Sequence, residues 1–278
     1  MRIHTAGRLG NQLFSWAFAH YLAGDTQKVQ LITKYPLLES NSFIPECHHV
    51  VSKQINLLLR LKTKLFFKFY YKFPNRKELV SKFFRATTEP ELYNFDAAHD
   101  YFGFFQKFNY VDQVSDRIID ELGLFLKLVD MPKTFVTRMD QGSYQCFHIR
   151  RGDYLLPENS GYGILDIDWY LSNSDSTLPT VVVTDDKTGS ENLIVALGKC
   201  LVLGPDEADA VQALAIMANS NHLVAANSTL SWWGGYMVAK RGYPVIYPFT
   251  ETEAHRDINS RLFSLRNGTF EEKSTSTS

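Results

Sequence analysis

"YQCFHIRRGDY", residues 144–154, sets two arginines where an apolar run ends. "YQCFHI" has the make-up of a strand buried in a sheet. Arg150 and Arg151 stay charged at any working pH and so belong at its carboxyl end. The same arrangement recurs downstream. "TVVVT" (180–184) runs into Asp185 and Asp186, and "HLVAA" (222–226) runs into Asn227, Ser228, Thr229 and Ser231. "DIDWYLSN", "SENLIVALG", "EADAVQALAIMAN" and "LSWWGGYMVAK" read as helices between strands, and "KCLVL" and "YPVIYP" as further strands. Strands alternating with helices at this spacing predict βαβ units, right-handed crossovers and a parallel sheet with helices on both faces.

Working towards the N-terminus, "RIHTA", "GRLG" and "NQLFSWAFAHYLA" read as strand, turn and helix, with Leu13, Phe14, Ala17, Phe18 and Tyr21 on one helix face; "KVQLIT" is a second strand. The breakers "DMPK" and "DQGS" predict a boundary between 130 and 142. The expected division is an N-terminal α/β domain over 1–140 and a nucleotide-binding domain over 141–250. Residues 251–278 are expected to be a C-terminal helix and a disordered tail ending in "STSTS".

The chain has 278 residues, 45% apolar, enough for one large domain or two small ones. Its net charge of −1 gives no basis for a nucleic-acid partner. Cys47, Cys146 and Cys200, odd in number and widely spaced, fit free thiols rather than a disulfide or metal site. No secretory signal and no transmembrane run is evident, which implies the cytoplasm or the inner face of a membrane. From Lys53 to Arg85 there are ten Lys or Arg against one acid, Glu78, giving +9 while the remainder carries −10. With "LKTKLFFKFYYKF" inside it, segment 53–85 suits an anionic membrane surface or a lipid-linked acceptor; an ordinary helix pair with a solvated basic face is the alternative.

In an open parallel sheet, ligands bind at the carboxyl ends of the strands. Three polar clusters fall on that one edge: Arg150, Arg151 and Asp153; Thr184, Asp185 and Asp186; Asn227, Ser228, Thr229 and Ser231. Arginine forks match phosphate oxygens, and "NSTLS" opens a helix whose hydroxyls and free N–H groups can accept an anion. Together they make a diphosphate clamp, and Asp185 is placed to read a guanine edge or a ribose. Taken singly, an Arg–Asp pair and plain helix capping explain the same residues. No G-x-x-x-x-G-K-[ST], G-x-G-x-x-G, D-x-D or metal-ligand spacing occurs, and His48-His49 is merely adjacent. No metal site is expected. Trp232 and Trp233, and Tyr101, Phe102, Phe104 and Phe105, suit sugar stacking or an acceptor cleft, but core packing more.

"GRLGNQLF", "HIRRGDY", "TDD" and "LAIMANSNHLVAANSTLSWWGG" resemble, in order and spacing, the α-1,2-fucosyltransferase family. The likeness runs from Gly7 to about Pro248, is densest after Tyr144 and weak over 35–95. Leu230 departs from it, phenylalanine being usual there, and few residues precede "GRLG". The resemblance implies a GT-B-like α/β fold, two Rossmann-like domains facing across a cleft. It implies GDP-β-L-fucose as donor substrate, a galactoside as acceptor, inverting transfer to the acceptor's 2-OH, no cofactor and no obligatory metal. By the same likeness Arg150 holds the donor's β-phosphate and Arg151 braces the loop or the other domain. Ser228 and Thr229 add phosphate contacts; His148, Asp185, Asn227 and Ser231 complete the donor set. Gly7, Arg8, Asn11 and Gln12 line the acceptor side. Asp153 is the first candidate for general base, with pairing to Arg8 or Arg151 as its alternative; His148, Glu158 and Asp168 are weaker candidates. A transferase for another sugar nucleotide, or a glycan- or nucleotide-binding protein on the same fold, are the alternatives. A lipopolysaccharide or O-antigen setting also follows from the family alone.

Overall fold

The computed structural model describes residues 1–5, 7–24, 29–33, 50–52, 57–84, 86–88, 100–139, 142–157, 163–249 and 270–274. Cys47, His48, His49, Lys53, Arg85 and Glu158 lie outside the described residues. The chain divides into two compact units, Met1–Ile118 and Ile119–Ser278.

The N-terminal unit holds strands β1 (Arg2–Thr5), β2 (Val29–Thr33), β3 (Val50–Ser52), β4 (Ala86–Thr88) and β5 (Asp100–Gly103). They form one parallel sheet in the order β3-β2-β1-β5-β4. Helices α1 (Leu9–Ala23), α2 (Leu57–Lys72), α3 (Lys77–Phe84) and α4 (Phe108–Gln113) accompany it. The one-sided face expected of α1 is not what is found. Leu9, Phe14, Trp16, Phe18, Ala19 and Leu22 are all buried, and so are Ser15 and His20. A helix apolar all round is one packed on all sides. Tyr101, Phe102 and Phe105 are core residues, Phe105 stacking on Phe18 with centroids 4.2 Å apart.

Helix α5 (Ser115–Lys127) carries the division between units; α6 (Lys133–Met139) follows. The division thus falls earlier than the breakers at 130–142 suggested. Residues after Ile118 pack within the second unit. Gly123 lies against Met237, Gln212 Nε2 donates to the Asp130 carbonyl at 2.7 Å, and Phe135 meets Tyr144 edge-on. The breakers mark helix ends, not the change of core.

The second unit holds β6 (Gln145–Ile149), β7 (Thr180–Thr184), β8 (Cys200–Leu203), β9 (His222–Val224), β10 (Val245–Phe249) and β11 (Phe270–Ser274). All are parallel, in the order β11-β10-β9-β6-β7-β8. Its helices are α7 (Ile167–Ser172), α8 (Glu191–Leu197), α9 (Ala210–Asn219) and α10 (Thr229–Lys240). The chain winds outward from β6 to β8, returns to β9 beside β6, and winds the other way. That is the Rossmann order, with its switch point between β6 and β9. Phe270–Ser274 pairs with β10 at the sheet's edge as β11; the rest of 251–278, where a C-terminal helix and a disordered tail were expected, lies outside the described residues. The charged sequence "FEEKS" of β11 suits an edge strand and hides it from a hydrophobicity reading.

Asp209 opens α9 with a capping box, its carboxylate accepting from the Val211 and Gln212 N–H groups at 2.8 Å while Gln212 reaches back to the Asp209 N–H. Trp232, Trp233 and Tyr236 of α10 are fully buried, so the two tryptophans are core. Helices α9 and α10 approach closely at Gly234, where an added Cβ would stand 2.8 Å from Met217 Cβ. Met217 Cβ moves only if its helix moves. Gly234→Ala is therefore expected to cost about 1–3 kcal/mol of unfolding free energy in urea titration.

Candidate active site

The site is built at the switch point of the second sheet. Buried strand β6 delivers Arg150 and Arg151 to its carboxyl end, and a short 3₁₀ turn, Gly152–Leu155, follows. Beside it, β9 ends and α10 begins, with Ser228 as N-cap. Ser228 Oγ accepts from the Leu230 N–H at 3.1 Å and the Ser231 N–H at 3.4 Å. Two tyrosines not singled out from the sequence tie these loops down. The Tyr154 ring lies under the Arg150 guanidinium at 5.2 Å, and its hydroxyl donates to the Asn227 carbonyl at 2.7 Å. The Tyr247 hydroxyl accepts from the Ser228 N–H at 3.2 Å and donates to the Ser228 carbonyl at 3.0 Å. The arginine loop and the helix start therefore share one rim.

Arg150 is gripped by two carboxylates. It pairs with Asp153 on its own turn and, through Nη1, with Asp185 Oδ2 at 2.7 Å. Asp153 is about a third exposed and Arg150 much less so. The other oxygen of Asp185 accepts the Arg151 N–H at 2.8 Å, and Gly152 sits so close that a Cβ there would lie 2.4 Å from Asp185 Oδ2. Asp185 is thus engaged by the arginine loop through both of its oxygens. Its neighbour Asp186 closes its own turn, accepting the Gly189 N–H at 2.9 Å.

Arg151 is buried, with Nη2 donating to the Leu165 carbonyl at 2.6 Å. It braces the loop within its own unit. His148 and Ser231, counted in the donor set, are buried and hydrogen-bonded to each other through Nδ1 and Oγ. Ser231 Oγ also accepts the Ala226 N–H at 3.0 Å, so its own proton is free for Nδ1 of a neutral imidazole. These two buried residues tie β6 to the start of α10. Asn227 is buried as well. Ser228, Thr229, Arg150, Asp153 and Asp185 are the expected residues of this rim that keep part of their surface open. Asp168 is exposed on the first turn of α7.

Burial, and then the charge of Arg150, pull the His148 pKa from 6.5 down to about 3. The unfolded chain regains the ordinary value. Below pH 6.5 it takes up a proton that the folded chain refuses, so stability drops as pH falls from 6.5 toward 3. At pH 5 the loss relative to neutral pH is expected to be roughly 2 kcal/mol from His148. His4, lowered first by its own burial, acts in the same direction. Urea midpoints across that range should fall steeply for the wild type and less steeply for His148→Gln; parallel slopes would contradict the assignment.

In the N-terminal unit the corresponding sheet edge holds Gly7, Arg8, Asn11 and Gln12. Gly7 has φ +86°, and a Cβ there would strike the Asn11 side chain, 2.1 Å from its Nδ2. Gln12 Nε2 donates to the Gly7 carbonyl at 3.3 Å. Asn11 Oδ1 accepts from Gln106 Nε2 at 2.8 Å, a partner not anticipated, presented by a tight turn with Phe105 at φ +52°. Arg8 is exposed. Among the described residues, no group of three His, Cys, Asp or Glu could hold a metal ion.

Residues 1–262 match the profile of Glycosyl transferase family 11. The chain belongs to that family. This agrees with the fucosyltransferase resemblance of its motifs. The O-antigen biosynthesis glycosyltransferase WbnK of Escherichia coli is 27% identical over 99 residues, 32% of this chain. That match spans only 33% of WbnK's own length. Two solved structures share the fold of this family 11 chain. A family 9 glycosyl transferase from Veillonella parvula has a TM-score of 0.53 at 11% identity, covering 99% of this chain and 86% of its own. The ADP-heptose LPS heptosyltransferase II of Escherichia coli has a TM-score of 0.51 at 13% identity, covering 98% and 90%. The fold is α/β and of GT-B type, a pair of Rossmann-like units in one chain.

Proposed function

We propose that this family 11 chain is an inverting fucosyltransferase that moves L-fucose from GDP-β-L-fucose to the 2-OH of a terminal galactose. One observation carries the donor half: Arg150 and the Ser228-capped start of α10 share the switch-point rim, tied by Tyr154. A guanidinium fork and a helix start together suit a diphosphate. The acceptor half rests on the family motifs. Gly7, Arg8, Asn11 and Gln12 are assigned to the acceptor.

In transfer, the bond between fucose C1 and the β-phosphate oxygen breaks, and the acceptor oxygen bonds C1 from the opposite face. Charge grows on the departing β-phosphate. Arg150 and the positive end of the α10 dipole stabilise it as it grows, which lowers the barrier rather than merely tightening ground-state binding. In the free protein Asp153 and Asp185 neutralise Arg150. A phosphate replaces Asp153, the more exposed partner, and so releases its carboxylate beside the reacting groups. Asp153 is then a base to take the acceptor proton. If Asp153→Asn kept most of the activity at every pH, the proton would have to leave by another route. Arg150 and the helix start supply the positive charge, so no metal is needed in this scheme.

The test is an assay of GDP-fucose with lactose, N-acetyllactosamine and β1,3-linked galactosides, with and without EDTA. Transfer is expected, insensitive to EDTA and inhibited by GDP more than by UDP. Inhibition by UDP would assign another donor. No turnover across the panel, with GDP still bound, would make the chain a binding protein.

A further inference from the structure

We propose that the outer face of α2 and α3 docks on the surface of an anionic lipid bilayer. The inner face of α2 is fully used. Thr63 Oγ1 bonds His4 Nδ1 at 2.7 Å, Lys62 pairs with Asp100 at 2.5 Å, and buried Phe66 packs on Phe102 with centroids 4.0 Å apart. An ordinary amphipathic helix would then turn a polar face outward. This one does not. Leu61, Leu65 and Phe69, spaced by four, are 51%, 36% and 38% exposed. Phe73 continues the row, stacked on Phe69, and Leu79 and Phe83 extend it along α3, Phe83 being 82% exposed. Lys64, Lys68 and Lys72, also spaced by four, run alongside the row, and all three are exposed, as are Arg76 and Lys77.

This pairing of features selects the occupant. Lysine is depleted in the cores of protein–protein interfaces, so an apolar row edged by lysines along its whole length is a poor protein seat. A nucleic-acid seat has no use for exposed Leu and Phe in register. A bilayer interface uses both: the apolar row enters the boundary of headgroups and chains, while the lysine stems lie along it and their ammonium groups meet lipid phosphates. Charge complementarity is strong, since residues 57–84 hold eight Lys or Arg and one acid, Glu78. No helix of the described residues is long and apolar enough to cross a membrane, and α2, at 16 residues, suits lying on one.

The experiment is co-sedimentation of the full chain with vesicles of phosphatidylcholine alone and of phosphatidylcholine with phosphatidylglycerol. Partitioning is expected to be at least about tenfold stronger on the anionic vesicles and to weaken with salt. K64E/K68E/K72E should lower it about 100-fold, while K64R/K68R/K72R retains it. L61Q/L65Q/F69Q, with every charge kept, should lower it about tenfold or more. Circular dichroism of each variant checks that the fold survives. Absence of wild-type binding, equal binding to neutral vesicles, or binding unchanged in both loss variants would overturn the proposal. So would a face that serves self-association or RNA binding while vesicles are ignored. Vesicle binding needs no donor, so this test and the transfer assay fail independently.

Discussion

Arg150→Ala is expected to lower kcat by about 100-fold or more, the usual effect of losing one preorganised donor aimed at developing charge. Arg150 is the guanidinium at the rim that both keeps exposed surface and is aimed by its neighbours, with Asp153 and Asp185 on its nitrogens and Tyr154 across its face. Arg151 cannot take over, because it is buried and committed to the Leu165 carbonyl. Arg150→Lys should recover only part of the loss: an ammonium keeps the charge but lacks the planar fork and cannot make both carboxylate contacts in the same geometry. Steady-state kinetics with saturating donor decide the matter, and near-normal kcat in the alanine variant would remove Arg150 from the chemistry.

Asp185→Ala is expected to cost about 10- to 100-fold in kcat/KM through loss of loop bracing, because misplacing a catalytic group by about an ångström has effects of that size. Its carboxylate fixes the loop at two points, the Arg151 N–H and Arg150 Nη1. Gly152→Ala should imitate it, since the new methyl would push directly on Asp185 Oδ2. This pair separates two roles for Asp185. A nucleoside-reading Asp185 would change selectivity among nucleoside diphosphates when it is removed or displaced. A bracing Asp185 makes both variants slow and leaves selectivity intact.

The second sheet was largely legible because its strands are short, apolar on both faces and punctuated by polar clusters, and because parallel strands all end on one edge. "QCFHI", "TVVVT" and "HLV" became β6, β7 and β9, and their following residues met at the switch point. Direction along a side chain was not legible. In a strand covered on both faces, as at His148, alternation carries no signal for which residues reach the rim, and in the first turn of α10 nothing in the pattern shows that Ser231 is buried against His148. Likewise the pattern places Asp185 at the right edge but does not say that a glycine 33 residues earlier leaves room for its carboxylate beneath the arginines. Tyr154 and Tyr247 were missed for a related reason. Aromatics near a sheet edge are usually core, and only their hydroxyl partners reveal that they hold the rim together. The N-terminal sheet was harder because β3 and β4 have three residues each, too few for a period to show.

The central claim is that Arg150 and the start of α10 grip a β-phosphate, and calorimetric titration of GDP and GMP tests it most directly. Wild-type protein is predicted to bind GDP at least about tenfold tighter than GMP, and Arg150→Ala to lose most of that preference while still binding GMP. Equal affinity of the wild type for the two nucleotides, or a GDP preference untouched by Arg150→Ala, would contradict it.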